Sequence, residues 1–456
     1  MTQPPAEPDD ATPSAPAAPP TPAELLRSPQ YVVLLVFSAV IGVPIAVVAY
    51  FFLKVVGEAQ DWVFTSLPVD LGFDSPPAWW PLPVLVLAGV IVAATIQYLP
   101  GTGGHAPSKG FQSTGAPEAA ELPGIFVAAF VSLALGAVVG PEAPLIAIGG
   151  GLAVLIVHTV KKDAPAQAAL VIGAAGSFAA VSTLLGSPIL GAFLLMEVAG
   201  LGGPLLGVLL VPGLLAAGIG SLVFLGLNGL TGFGTFSLAV PDIPSFTSIT
   251  AAQLLWAVVI GLLGAVVGTI IRRGAVALEP VVGRRRLLLT PLAAAGVAVA
   301  AIVFEQTTTH GVDQVLFSGE NALAPLLQDA GSWTVGALVL LVVCKGIAYG
   351  LSLGSFRGGP TFPAMFIGAA GGIALSHAGG LPMVAGAAMG IGAMAVTMLG
   401  LPLTSVLLTS IFLESDGIAL MPLIIISVVV AYVASARLAP APDDAASAPP
   451  ATAAPG

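Results

Sequence analysis

Long apolar runs alternate along the chain with short polar or glycine–proline breaks, and this rhythm predicts a succession of helices. Apolar segments fall at 31–55, 81–99, 123–139, 143–160, 166–184, 187–200, 203–227, 251–278, 287–304, 333–352, 361–377, 382–399, 402–413 and 418–437. No Asp, Glu, Lys or Arg occurs between Glu197 and Asp242, or from Gly358 to Leu413. Runs of that length exceed the roughly 20 residues a helix needs to cross the hydrocarbon core, so several spans follow one another. Many other segments are shorter than a full crossing. Short, broken apolar helices are tolerated at membrane depth only where they pack inside protein or line a polar cavity. The pattern predicts an all-α polytopic membrane protein with broken and re-entrant helices, of transporter or channel type.

Composition strengthens this reading. Of 456 residues, 57% are hydrophobic and only 8% are charged, about a third of the charge of a soluble domain. The 56 glycines and 40 prolines supply the breaks. Part of the net charge of −10 comes from acids in segments 1–30 and 438–456. Both are crowded with Pro and Ala and read as disordered tails that build no core. Between them lies one transport domain, 31–437, with halves at about 31–230 and 250–437. No basic region precedes the first apolar run, so no cleaved signal peptide is expected. Cys344 is the only cysteine, which rules out an intrachain disulfide.

Arg272, Arg273 and Arg284 to Arg286 cluster in the connection between the halves, which the positive-inside rule places in the cytoplasm. Arg27 and Arg437 flank the first and last spans and fit cytoplasmic termini of a multi-pass protein of the cell membrane. Four scattered histidines (His105, His158, His310, His377), one cysteine and no HExxH argue against an intramembrane enzyme. No metal or other cofactor is expected, and the acidic balance disfavours nucleic-acid binding.

The halves repeat each other. Residues 140–149 read GPEAPLIAIG and residues 359–368 read GPTFPAMFIG, 219 residues apart, with five of ten positions identical. Further on, 176–188 (GSFAAVSTLLGSP) matches 390–402 (GIGAMAVTMLGLP) at an offset of 214. Internally repeated membrane proteins place their substrate site at the repeat interface, near the midplane, on corresponding broken helices. Here those helices start at 140–144 and 359–363. Each block opens on Gly-Pro and then continues as an apolar helix. The unpaired N–H groups and the positive dipole end of such a helix make an anion site. They bind more weakly than a full Lys or Arg charge, and weak binding suits conduction, which requires release. The backbone groups of Glu142, Ala143, Thr361 and Phe362 are the candidate anion ligands.

Glu142 is the only acid between Glu121 and Asp163 and falls in the first turn of the first such helix. One reading is a helix-start carboxylate that complements the dipole. An ionisable residue inside a membrane is nevertheless a functional-site hypothesis by default. Its carboxylate can occupy the anion site itself, so that an anion must displace it or a proton must release it. Gly101-Thr102-Gly103-Gly104-His105 is a further candidate, either a close backbone approach with a Thr102 hydroxyl donor or a plain turn. His105 reads as a loop or interface histidine. Glu197 ends an apolar helix, with an interface role at least as fitting as ion handling. Lys345 and Arg357 flank the second site, where they raise the local anion potential, pair with acids or snorkel.

These residues together resemble the CLC family of chloride channels and proton/chloride antiporters, over about residues 30–437. Gly140-Pro141-Glu142-Ala143-Pro144 resembles the family's G-R-E-G-P signature, which places Glu142 on the gating glutamate. Gly101-Thr102-Gly103 is similar to the start of G-S-G-I-P, which places Thr102, with Gly103, at the chloride. Gly358 to Pro363 resembles G-G-x-F-x-P, and Gly186 to Glu197 resembles N-A-P-L-A-G-x-x-F-x-x-E. The resemblance implies an inverted-repeat fold and a homodimer with one ion pathway per subunit. It also implies chloride or a similar small anion as substrate, with protons as a candidate second one.

The departures bear on mechanism. Pro141 replaces the signature arginine and Pro360 a residue with an N–H, so each removes a donor. Phe362 falls one place later than the family's phenylalanine. Val198 falls where the antiporters carry an inward glutamate, so coupling through that position is not expected. A terminal helix with the central tyrosine and nucleotide-binding CBS domains are also not expected. Channel or antiporter remains open, as does chloride against fluoride or nitrate.

Overall fold

The computed structural model describes residues 22–111, 115–163, 165–200, 205–232, 246 and 248–439. The expected disordered stretches 1–21 and 440–456 lie outside the described residues. Residues 22–30, expected to be tail, are instead mostly helical. They hold α1 (Pro22–Arg27) and the start of α2 (Pro29–Asp61). The local reason is chemical: Ser28 caps α2 by accepting from the Tyr31 N–H at 3.2 Å, and Pro29 opens the first turn.

From α2 the chain passes through a π-helical turn, Trp62–Ser66, into α3 (Leu67–Asp70). The first half continues with α4 (Pro81–Tyr98), α5 (Leu122–Ala134), α6 (Glu142–Val160), α7 (Ala166–Leu184), α8 (Pro188–Val198) and α9 (Leu205–Thr231). The second half holds α10 (Ala251–Arg284), α11 (Arg286–Thr307), α12 (Glu320–Gln328) and α13 (Val335–Ser355). It closes with α14 (Thr361–Ser376), α15 (Met383–Leu399), α16 (Pro402–Phe412) and α17 (Glu414–Leu438). Among the described residues nine helical stretches are long and apolar enough to cross a membrane. Five shorter apolar helices, α5, α8, α14, α15 and α16, are the broken elements that the sequence predicts.

The packing repeats as the sequence does. Helix α2 lies on α7 and α9, as α10 lies on α15 and α17. Helix α6 pairs with α7 as α14 pairs with α15, and α4 packs on α11 to join the halves. The matched blocks supply close backbone approaches. Gly149 faces Gly176 in the first half and Gly368 faces Gly390 in the second, and a Cβ on any of these four would overlap the partner's backbone. Small residues let membrane helices meet backbone to backbone, where packing rather than the hydrophobic effect holds them.

The short polar stretch between α11 and α13 departs from the apolar rhythm. It holds α12, which the run of apolar segments does not predict. Only Leu323, Leu326 and Leu327 on this helix are buried, so its signal is one amphipathic stripe over nine residues. The Arg273 guanidinium donates to the Leu438 carbonyl, so the end of α17 lies on the same side of the fold as the Arg284–Arg286 turn.

Candidate anion-binding site

Two helices that belong to different halves start side by side at the centre of the fold. Pro141 and Pro360 sit at the N-cap positions of α6 and α14, and Glu142 and Thr361 are their first helical residues. Pro144 and Pro363 follow two residues later. A helix start leaves up to four N–H groups unpaired. Proline at the cap and in the first turn cuts that set, so each start offers two amides, of Glu142 and Ala143 or of Thr361 and Phe362. The residues just before them meet as an isolated antiparallel bridge: Gly140 N–H donates to Gly359 O at 2.7 Å, and Gly359 N–H to Gly140 O at 2.6 Å. The repeat offset of 219 residues thus appears as a pseudo-symmetric pair. Side chains brace it, with the Tyr349 hydroxyl donating to Pro360 O at 2.6 Å and the Ser352 hydroxyl accepting from Val138 N–H at 3.0 Å.

Glu142 crosses this junction. Its Oε1 accepts the Thr361 N–H at 2.5 Å, so the carboxylate of one half occupies the anion-accepting end of the other half's helix. The residue is 1% exposed, and Oε2 has no hydrogen-bond partner among the described residues. The Thr361 hydroxyl lies beside the same carboxylate without a hydrogen bond of ordinary geometry. Phe362 is fully buried one residue further on. A desolvated carboxylate held by so few donors is costly to keep, and two changes relieve it: gain of a proton, or replacement at the Thr361 amide by another anion. Glu320, at the start of α12, and Tyr349 are near enough to feel its charge. Glu320 lies in a polar stretch, where an acid is unremarkable by sequence.

Thr102 and Gly103 meet the segment entering α14 through Arg357. Gly101 to Gly104 form a turn in which all four residues have positive φ, Thr102 included at 51°. Such a run needs glycine, which explains the sequence there. Thr102 is exposed and its carbonyl accepts from Arg357 Nε at 3.1 Å. Arg357 also donates to Phe356 O at 3.1 Å, and its own N–H reaches the Ser132 hydroxyl at 3.2 Å. Arg357 is therefore the strut that ties the glycine turn to the segment entering α14.

The accessory candidates separate by their contacts. Glu197 caps α16: Oε1 accepts from Leu403 N–H at 3.0 Å, and Oε2 from Thr404 N–H at 2.8 Å and the Thr404 hydroxyl at 2.6 Å. Replacing Glu197 by Ala should cost about 1–2 kcal/mol of stability through the lost cap. Detergent melting should fall by a few degrees, while the pH dependence of transport stays that of the wild type; a changed pH dependence would assign Glu197 to ion handling instead. Lys345 is fully buried, and its ammonium donates to the carbonyls of Gln314, Val315 and Leu316 at 3.0–3.1 Å and lies 4.5 Å from the Phe366 ring centroid. It closes the turn before α12 and, among the described residues, forms no ion pair with an acid. Val198 lines an apolar cavity with Phe178 and Leu195 and offers no titrating group.

Beside Ala143 lies a second, small cavity of about 80 Å³, which His105, Ser177, Gly358 and Pro360 also line. No cluster of three or more potential metal ligands occurs among the described residues.

Known proteins match this architecture. A family model described as voltage gated chloride channel matches residues 108–436. "Putative ion-transport protein YfeO" of Salmonella choleraesuis (strain SC-B67) is 29% identical over 356 residues, covering 76% of this chain and 81% of that protein. Among solved structures, a slow cyanobacterial Cl−/H+ antiporter superposes with a TM-score of 0.73 at 19% identity, over 90% of this chain and 95% of the other. A CLC-type fluoride/proton antiporter gives 0.64 at 21%, over 89% and 96% of the two chains. A eukaryotic CLC transporter gives 0.69 at 17%, over 91% and 73%. The chain belongs to the voltage-gated chloride channel family, the CLC proteins, and is a membrane anion-transport protein rather than an enzyme.

Proposed function

We propose that the protein carries chloride across the cell membrane, with the Glu142 carboxylate as the gate. The observation that carries this reading is the hydrogen bond from Thr361 N–H to Glu142 Oε1 at 2.5 Å. A carboxylate at a helix N-terminus is a stand-in for a small monovalent anion, because both are drawn by the same amides and the same dipole. In the closed arrangement the side chain fills the place. An incoming chloride competes for the Thr361 and Phe362 amides on one side and the Ala143 amide on the other. Protonation of Glu142 removes its attraction to these donors and frees the path, which links transport to pH. The amides supply partial charge only, so the ion is held and then released.

The same reading places the Arg284–Arg286 turn, and with it the end of α17, in the cytoplasm. It also carries a homodimer with one pathway in each subunit. Thr102 and Gly103 border the path from the arginine side through Arg357. The Thr361 hydroxyl is a specific reason to test fluoride beside chloride, since a small, strongly hydrated anion needs more donors to replace its water. Purified protein in liposomes loaded with chloride, fluoride or nitrate distinguishes these: chloride efflux above that of protein-free liposomes is expected. Fluoride or nitrate flux without chloride flux would move the assignment to that anion. Proton movement against its gradient during chloride flux would mark an antiporter, and its absence a channel.

A further inference from the structure

Between α4 and α5 the chain passes through two single 3-10 turns, Pro100–Gly103 and Pro107–Lys109. Among the described residues the backbone hydrogen bonds of 100–111 stay inside this stretch. Gly104 N–H donates to Gly101 O, Lys109 N–H to Ala106 O and Gly110 N–H to Pro107 O. Its polar ties to the rest of the fold run through side chains. Arg357 Nε holds Thr102 O at 3.1 Å, and Glu279 of α10 holds the far end. There Oε2 accepts from the buried Ser108 hydroxyl at 2.5 Å, and Oε1 lies 3.5 Å from the Lys109 ammonium. The first turn packs on α4 and α5, whereas the second rests on α10 and α13. Left-handed glycines, Gly104 at φ 92° and Gly110 at φ 69°, bound the second turn. Residues 105–110 thus form a tip hung between two glycines. His105, Pro107 and Gly110 of this tip line the cavity of about 80 Å³ that Ala143, Gly358 and Pro360 also line. Ser108 and Lys109 reach instead to Glu279, just before the Arg284–Arg286 turn. The tip therefore stands between the two helix starts and the side that carries the arginines.

We propose that Glu279 is a positioning residue for transport: through Ser108 and Lys109 it latches the tip 105–110 over the cavity, and an ion passes to the arginine side when the latch lets go. The physical case is unequal anchoring. A helix that leaves its place breaks many backbone bonds, whereas this tip gives up one hydroxyl–carboxylate bond and one ion pair. The Lys109–Glu279 pair is the weaker tie, because the Lys109 side chain is about half exposed. The buried Ser108 bond to a charged acceptor is the stronger one. When the latch opens, water replaces each lost partner, so no polar group is left unpaired in the interior. Opening also parts Lys109 from the acid that neutralises it, which leaves a cation at the mouth for an arriving anion. The swing needs φ and ψ changes at few residues, and the bounding glycines supply them. The latch rests on the anion-transport reading, but the movement of the tip is measured without transport.

Two measurements on the full-length protein test the latch, both in a Cys344→Ser background that removes the only cysteine. In the first, His105→Cys puts a thiol on the cavity side of the tip, and its modification by a charged methanethiosulfonate is timed in detergent. Adding Glu279→Gln should speed that modification about fivefold or more. If this variant fails to fold, Ser108→Ala, which removes the buried bond, should act in the same direction. Equal rates with and without the latch would overturn the proposal. In the second, Ser108→Cys and Glu279→Cys are bridged by a short bis-methanethiosulfonate in liposomes. Chloride efflux should fall about tenfold or more on bridging and return when dithiothreitol cuts the bridge. Neither single cysteine should respond. Unchanged efflux through fully bridged protein would put the tip off the path and overturn the proposal. Faster modification in a protein that shows no efflux before bridging would keep the latch and overturn the transport reading instead.

Discussion

Chloride flux through liposomes carrying Glu142→Gln should vary less than about twofold between about pH 7.5 and about pH 4.5, where the wild type rises about tenfold or more. The sign follows from the site. In the wild type the charged carboxylate holds the Thr361 amide, and acid frees that amide by protonating the side chain. Glutamine carries no titrating group, so the acid response goes with it. Glutamine still has an oxygen that can accept from Thr361 N–H, so its flux need not be maximal. Glu142→Ala, which removes the oxygen, should give the higher flux of the two at neutral pH. Anion-sensitive dye efflux with buffered interiors reads all three proteins. A wild-type pH response preserved in Glu142→Gln would reduce Glu142 to a helix-start acid that complements the α6 dipole.

Gly359→Ala should mimic this effect without touching the acid. A Cβ on Gly359 would collide with the Glu142 carboxylate and its Cγ. The Gly359 backbone is fixed by its paired bonds to Gly140, whereas the glutamate side chain can rotate. The lower-cost response is for the carboxylate to leave the Thr361 amide. Flux at neutral pH should therefore rise several-fold, and its acid stimulation should shrink. Gly140→Ala places its Cβ against the same carboxylate and should act likewise. Efflux assays of both variants, with melting in detergent to confirm folding, check this. Folded variants with wild-type flux and wild-type pH response would show that the carboxylate does not close the path from this position.

Much of this fold was legible in the sequence because a membrane span declares itself by length and by lack of charge. The runs at 143–160, 166–184 and 402–413 match α6, α7 and α16 closely. The repeat was legible for a packing reason: Gly149, Gly176, Gly368 and Gly390 are fixed by backbone contact, and only glycine fits there. Helix α12 was not legible, since a nine-residue helix with three buried leucines and a polar remainder resembles a loop.

At the site, Glu142 and Thr361 could be placed at helix starts from Gly-Pro spacing alone. That the first would reach across to the second, at the repeat offset itself, is a tertiary fact. Glu197, Lys345 and Arg357 show the limit of reading charges from sequence. Each was compatible with ion handling and with a structural role, and only their partners decide. Glu197 caps α16, Lys345 closes the turn before α12, and Arg357 ties down the glycine turn. His105 went the other way: an ordinary histidine in a glycine-rich turn proves to face the cavity beside Ala143.

The central claim is that an anion takes the place of the Glu142 carboxylate on a path through the membrane. Its most direct test is chloride efflux from liposomes containing the purified wild-type protein, at about pH 4.5 where acid frees the gate. Efflux well above that of protein-free liposomes is the predicted result. Efflux no faster than theirs, from protein shown to be folded and inserted, would contradict it.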